Sequence, residues 1–370
     1  MPGHCPSQKK SRAYMTVTVP FFISHLGCPH QCVFCNQHEI AGSGRIPETA
    51  EILARIDAYG RSAGVDSVQV AFYGGTFTAL PRSVQEELLQ PLQPLIAAGK
   101  VESIRISTRP DYVDGDTAQF LRRMGVEVVE LGIQSMADHV LAKSGRGHTT
   151  AHAERAVAAL RHASLSWGAQ LMPGLPGSTP AESMASLERV IALQPSCLRI
   201  YPTLVIKDTP LAGLFDQGLY GPLTMEDALA LCMAMLHRAW RADLPVIRMG
   251  LQPTAELEAA GTVLAGPYHP AFRYLVESEL CFRLLCRMVE GLAGGTSIGI
   301  TCAPSRISTV SGHKRWNVAR LAQRGLKVTA ILGDPGHSSF HISIETGERV
   351  LRGHLLDDLD AAQFLPFNRC

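Results

Sequence analysis

Three cysteines stand close together near the start of the chain. The segment HLGCPHQCVFCNQ, from His25 to Gln37, carries Cys28, Cys32 and Cys35. Thiolates spaced by three and then two residues on one short loop can occupy three corners of an iron–sulfur cubane. A ferredoxin-type site adds a fourth cysteine, but the next one here is Cys197. With three protein ligands, a 4Fe–4S cluster keeps one iron open to a small molecule. Zinc is the rival reading, yet structural zinc prefers four ligands, commonly from paired CxxC units, and only Cys32 to Cys35 makes one. His30 lies between two of the cysteines, an awkward place from which to reach the same metal. Three buried thiols are the plain alternative. Spacing, together with a position just after a first strand, favours the cluster. Cys5, Cys197, Cys232, Cys281, Cys286, Cys302 and Cys370 show no such pattern and are expected to be small buried residues.

The elements around this loop follow a regular rhythm. Apolar β-branched runs at Thr16–Ser24, Ser67–Phe72, Ser103–Ser107, Glu127–Gly132, Trp167–Met172 and Leu198–Tyr201 read as strands. Helical patterns lie between them, at Glu48–Ala63, Ser83–Ala97, Asp116–Met124, Ala151–His162, Ala181–Leu193 and Met225–Arg241. Successive βα units imply an α/β fold with a parallel sheet, a partial (β/α)6 relative of the eight-unit TIM barrel. Chemistry in such barrels gathers at the C-terminal ends of the strands, where the cysteine loop also falls. We expect a tail over 1–15, a barrel over 16–265 and, beyond a boundary near Gly266–Pro270, a small α/β extension over 266–370. Its expected elements are a helix at Leu275–Gly291, a strand at Ser297–Ala303, a helix at Lys314–Arg324 and strands at Lys327–Leu332 and Ser339–Ile344.

Composition narrows the setting. Of 370 residues, 46% are hydrophobic and 18% charged, enough apolar content for a large core. A net charge of +1 supplies no global pull toward polyanions, so a nucleic-acid substrate would need a local basic patch. The basic cluster Lys9, Lys10 and Arg12 reads as a solvated tail. No apolar run is long enough to span a bilayer, and MPGHCPSQKK lacks a signal core. Ten cysteines then belong in a reducing compartment, and a cytoplasmic location is expected.

CxxxCxxC with Phe34 before its third cysteine resembles the signature of the radical S-adenosylmethionine (SAM) superfamily. The resemblance continues through FYGGTFTALP (Phe72–Pro81), ISTRPDYVD (Ile106–Asp114), ELGIQSM (Glu130–Met136), RGHT (Arg146–Thr149), MPGLPG (Met172–Gly177) and RIYPTLVIKDTPL (Arg199–Leu211). In this order, over about Thr16 to His269, the chain is similar to the radical SAM module of the elongator catalytic subunit. More distantly it resembles oxygen-independent coproporphyrinogen oxidase. The residues after the barrel are short for the elongator subunit's acetyltransferase domain, so the chain resembles the radical SAM half alone.

The resemblance implies that SAM chelates the open iron and is cleaved to methionine and a 5′-deoxyadenosyl radical, with a flavodoxin- or ferredoxin-like protein as electron donor. Gly74, Gly75 and Thr76 match the family's GGT contact to the methionyl ammonium, and glycines there let backbone approach a ligand; an ordinary tight turn is the alternative. Ser107 stands where relatives carry a glutamate and brings no charge. Arg109 offers a donor fork, or an ion pair with Asp111. Gln134, Ser135 and Gln170 suit ribose or carboxylate partners. Arg146 matches a carboxylate bidentately and is the candidate for that of SAM. Met172 to Gly177, including Gly174, is expected along the adenine. Tyr201 and Lys207 are the substrate-side candidates, and Tyr268 and His269 a further pair; packing and solvated charge are their plainer roles.

Three functions follow. The first is RNA base modification, which needs a basic surface around Lys207, Arg248 and Arg273. The second acts on a small molecule of the tetrapyrrole type and needs arginines inside the barrel to clamp carboxylates. The third is a cluster-bearing binding protein without turnover.

Overall fold

The computed structural model describes residues 15–23, 28, 30–36, 45–347 and 349–364. The N-terminal basic cluster, Cys5 and Cys370 lie outside the described residues.

Seven strands form one sheet: β1 (Thr16–Phe22), β2 (Ser67–Tyr73), β3 (Val101–Thr108), β4 (Val126–Gln134), β5 (Ser166–Leu171), β6 (Cys197–Ile200) and β8 (Val246–Met249). They lie in that order, and every pair is parallel. All six expected barrel strands are present. β8 adds a seventh, which the short segment VIRM did not announce. A two-stranded ribbon, β7 (Val205–Ile206) with β9 (Val263–Ala265), was also not foreseen.

The helices between the strands are α1 (Thr49–Gly60), α2 (Arg82–Leu89), α3 (Gln93–Ala97), α4 (Gly115–Arg123), α5 (Asp138–Lys143), α6 (Thr150–His162), α7 (Pro180–Ala192), α8 (Pro210–Asp216) and α9 (Met225–Arg241). Their starts are written locally. Thr179 and Glu182 form a capping box ahead of Pro180 at the first turn of α7. Thr224 caps α9 by accepting from the Asp227 N–H.

A side-chain contact reveals the shape of the sheet. In a flat sheet β2 and β6 would lie about 19 Å apart, at ~4.8 Å per strand. Yet Arg199 of β6 donates to the Tyr73 phenol of β2 at 2.9 Å. The sheet is therefore curled, with one face wrapped around a lumen. Val70, Phe72, Ile104, Ile106, Val129, Leu131 and Leu198 turn outward into a buried core. Alternate residues Gln69, Tyr73, Arg105, Glu130 and Arg199 turn inward and touch each other.

After α10 (Phe272–Met288) comes a four-stranded sheet of order β11-β10-β12-β13. Its strands are β10 (Ser297–Cys302), β11 (Lys327–Gly333), β12 (His341–Glu345) and β13 (Val350–His354), with α11 (Ile307–Ser311) and α12 (Trp316–Gln323) beside them. Ile298, Ile300, Ile342 and Ile344 share one continuous apolar core with Leu231 and Leu236 of α9 and Leu280 of α10. No helix among the described residues is long and apolar enough to cross a membrane.

Candidate active site

The cysteine loop follows β1 and lies against the ends of three other segments. Cys35 N–H donates to the Cys32 carbonyl at 3.1 Å, closing a turn over Val33 and Phe34. Phe34 is buried among Val140, Leu175, Val205, Leu211 and Ala212, which anchors that turn in apolar surface. Val33 is tied on both sides: its N–H donates to the Ser144 carbonyl at 3.1 Å, and its carbonyl accepts from Leu211 at 2.8 Å. Close approach here depends on glycine. Gly145 has φ +63°, and a Cβ added to it would stand 3.3 Å from the Gln31 carbonyl.

Two cysteine sulfurs meet partners from the sheet end. Cys28 Sγ lies 3.4 Å from the hydroxyl of Thr76, itself buried just past β2. Arg146 Nη1 donates to Cys32 Sγ at 3.2 Å, while its Nη2 donates to the Gly132 carbonyl of β4 at 2.6 Å. Arg146 Nε is buried and has no hydrogen-bond partner among the described residues. Among the described residues, no three His, Cys, Asp or Glu side chains gather closely enough to hold a single metal ion. A cubane asks for something else, since it binds each thiolate on a separate iron. None of the eight described cysteines forms a disulfide.

The other expected site residues divide into two groups. Gln134, at the end of β4 with φ +67°, receives the amide of Gln170 at 3.1 Å, so these two form one polar pair. Gly74 and Gly75 close β2 beside Thr76, and Ser107 stands opposite Glu130 on the inward row. Met172 packs against the apolar cluster that contains Phe34. Gly174 has φ +85° and accepts from the Tyr220 hydroxyl at 2.6 Å. Ser135 points elsewhere: its hydroxyl lies 3.4 Å from that of Ser186 on α7 and accepts from Ala137 N–H. Arg109 takes its plainer role, a two-pronged pair with Asp111 at 3.0 and 2.9 Å. Burial opposes the charge of Asp111, yet the Arg109 fork holds its carboxyl below the usual range. Lys207 is half-buried beside the ribbon, with its N–H on the Thr262 carbonyl and its own carbonyl receiving Asn36. Tyr268 donates to Glu258 at 3.2 Å, and His269 meets the ring of His313 edge-on.

One expectation needs correcting. Arg273 does not contribute free charge to a basic surface, because its Nε pairs with Glu277 at 2.7 Å and its Nη1 bonds the Val246 carbonyl. An i, i+4 arginine–glutamate spacing on a helix predicts that neutralisation.

The lumen holds residues the sequence reading passed over. Glu130 is buried between two arginines, with Arg105 Nη1 at 2.7 Å, Arg199 Nη2 at 2.9 Å and Arg199 Nε at 2.6 Å. The Arg199 Nε contact lies off the N–H axis and is a charge contact only. Arg199 also donates to both Tyr201 at 3.1 Å and Tyr73 at 2.9 Å. Arg105 Nε donates to Gln69 at 2.8 Å. Arginines are thus present inside the barrel, but both grip Glu130. Burial keeps Cys197, beside Arg105, a protonated thiol by raising its pKa. His148 is fully buried near Arg146; desolvation first, then the Arg146 charge, lower its pKa to about 3. One signal was available for these residues: polar side chains two apart within otherwise apolar strands, as in Ser103, Arg105 and Ser107.

Residues 22–190 match the Radical SAM superfamily, and residues 195–281 match the Radical_SAM C-terminal domain. The chain belongs to the radical SAM superfamily of enzymes. It is 27% identical over 252 residues to the tRNA uridine(34) acetyltransferase of Dehalococcoides mccartyi, covering 58% of this chain and 55% of that protein. It is 28% identical over 222 residues to Elongator complex protein 3 of Danio rerio, covering 51% of this chain and 40% of that one. The chain therefore spans about half the length of these relatives or less. The archaeal Methanocaldococcus infernus Elp3 superposes with a TM-score of 0.57 at 19% identity, covering 77% of this chain and 70% of the other. That likeness shows the shared fold. Membership of the radical SAM superfamily implies SAM and a 4Fe–4S cluster. The residues present fit that pair: three cysteines on one loop with no disulfide, a guanidinium already at one sulfur, and a buried Nε on the same guanidinium with no hydrogen-bond partner among the described residues.

Proposed function

We propose that this chain is a radical SAM enzyme that modifies an RNA base, and that Cys28, Cys32 and Cys35 hold its cluster. The observation that carries the reading is the seat of the cysteine loop at the C-terminal mouth of a curled parallel sheet. There Thr76 and Arg146 meet the sulfurs of Cys28 and Cys32. Bound there, the cluster and SAM would supply reductive cleavage of the sulfonium to a 5′-deoxyadenosyl radical.

The chain's own residues would do the rest. Arg146 holds its guanidinium against Cys32 Sγ and would brace that ligand. Phe34 and its apolar neighbours keep water from the underside of the loop. Gly74, Gly75 and Thr76 offer backbone and a hydroxyl to the methionyl end of SAM. Gln134 and Gln170 offer amides to its ribose or carboxylate, and Met172 with Gly174 would border the adenine. Ser107 lies on the inward row beside them, while Tyr201 and Lys207 face the substrate. Ser135 acts through the α7 contact that holds Gln134 in place.

RNA is the favoured substrate because relatives carrying the same matched region are named tRNA uridine(34) acetyltransferase. Only about half of those proteins is matched, so the product here need not be theirs. We take 16–265 as the catalytic unit and 266–370 as its extension; all but the last residue of the expected tail over 1–15 lies outside the described residues. A reducing, cytoplasmic setting agrees with the absence of disulfides among the described cysteines, and a flavodoxin- or ferredoxin-like protein would supply the electron.

The test is anaerobic reconstitution of the full chain with iron and sulfide, followed by reduction with dithionite and incubation with SAM. Formation of 5′-deoxyadenosine and methionine is expected, and Cys32→Ala should lose both the cluster absorbance and the products. A protein that takes up zinc but no iron, or a Cys32→Ala variant that still cleaves SAM, refutes the assignment.

A further inference from the structure

Between Gln69 and the strand ends, the lumen carries a polar group for which SAM chemistry has no evident use. Tyr73 ends β2, one residue before Gly74, and Tyr201 follows β6. Their phenol oxygens sit on the two prongs of one guanidinium: Arg199 Nη2 donates to Tyr73 at 2.9 Å, and Nη1 donates to Tyr201 at 3.1 Å. Both tyrosines are half-buried rather than sealed in the core.

The direction of these bonds decides what the phenols can do. An arginine has no acceptor and does not release its protons in proteins. Each phenol oxygen therefore accepts from Arg199, and its own O–H is left to donate elsewhere. A donor whose oxygen already receives a charge-assisted bond is the stronger donor. The charge of the fork is balanced in part by Glu130, which it also contacts. Burial first, and the Glu130 charge second, raise the pKa of Tyr73, so its phenol keeps its proton.

We propose that Tyr73 and Tyr201 form a paired O–H donor site that receives one carbonyl oxygen of the substrate. This rests on the radical SAM reading of the neighbouring loop, and it adds the chemical class of what binds beside it. Two phenol donors seated on one guanidinium can hold an oxygen as it gains negative charge. A carbonyl next to a carbon radical is such an oxygen. The phenols make and break no bond; they orient the carbonyl and share its charge. A full carboxylate fits less well, because the Glu130 carboxylate already sits on the same guanidinium and would repel it. Among nucleobases the site would take uracil, cytosine or guanine, each with a carbonyl oxygen, and reject adenine, which has none.

The probes are uridine 5′-monophosphate with 13C-labelled base carbonyls, adenosine 5′-monophosphate and acetate, each added to the reconstituted full chain with SAM. Dissociation constants are read by calorimetry and the carbonyl stretch by isotope-edited infrared difference spectra. The labelled carbonyl band should move to lower wavenumber on binding. Tyr73→Phe and Tyr201→Phe should each raise the uridine monophosphate Kd about fivefold to tenfold, the worth of one hydrogen bond. The double variant should abolish the band shift, and adenosine monophosphate should show no such sensitivity.

An unshifted band in the unaltered protein, or no uridine monophosphate binding to it, overturns the proposal. So does equal affinity in the double variant, or displacement of the nucleotide by acetate. The band shift needs no variant, so a poorly folding substitution leaves the test intact. Release of 5′-deoxyadenosine by the unaltered protein is measured in parallel. Its absence would count against SAM cleavage, while the carbonyl contact is judged on binding alone.

Discussion

Glu130→Gln isolates the charge at the centre of the lumen. In the native protein Glu130 balances one of two guanidinia; its side chain is 6% exposed and those of Arg105 and Arg199 are 16% exposed. The amide keeps the shape and one acceptor oxygen but leaves two buried cations facing each other. Removing one partner from a buried ion pair costs about 3–5 kcal/mol, and retention of the acceptor argues for about 3 kcal/mol here. Unfolding entropy of ~2.1 cal/mol/K per residue amounts to about 0.8 kcal/mol/K for this chain, so the melting temperature should fall by about 4 °C. Differential scanning calorimetry of the reduced apoprotein reads this directly. The double variant Glu130→Gln/Arg105→Gln returns the lumen to its original surplus of one positive charge and should recover at least half of the loss. A fall below about 1 °C, or a double variant as unstable as the sum of its parts, would refute the charge-balance argument.

Three other outcomes follow from particular contacts. Arg146→Lys should speed iron loss to a chelator by about tenfold, because one ammonium cannot serve both Cys32 Sγ and the Gly132 carbonyl; unchanged iron retention would remove Arg146 from the site. His148 binds its proton less readily folded, with a pKa near 3, than unfolded, at about 6.5. Its contribution is intact above pH 6.5 and is lost as pH falls from there toward 3, at up to about 1.4 kcal/mol per pH unit; denaturant titrations of His148→Phe should show a flatter loss across that window. Asn317→Ala removes an amide that donates to the Ser278, Thr309 and Val310 carbonyls and should cost about 1–3 kcal/mol, concentrated in faster amide exchange across α11 and α12.

Strand and helix placement was legible because local signals agreed. β-branched runs, cap residues and βα spacing gave six strands, and the helix Met225–Arg241 matches its expected bounds. Segments of two to four residues, such as Val205–Ile206 and Val246–Met249, were not legible: too short for periodicity, they pair only because other strands offer an edge. Within the site, the types and spacing of Cys28, Cys32 and Cys35 pointed to their chemistry unaided. Ser135 shows the limit, since its identity suits a ligand while its hydroxyl faces Ser186.

What the linear order determined by itself was a parallel βα rhythm and a three-thiol loop after the first strand, since both are short-range patterns of residue type. What only the folded chain decided was which side chains meet inside the sheet. Arg199 lies 126 residues from Tyr73 and 69 from Glu130, and it reaches both because the sheet curls. Curling follows from strand twist and from helices packing on one face, a collective outcome that no single segment encodes. The buried charge at Glu130 and the two phenols above it are consequences of that closure.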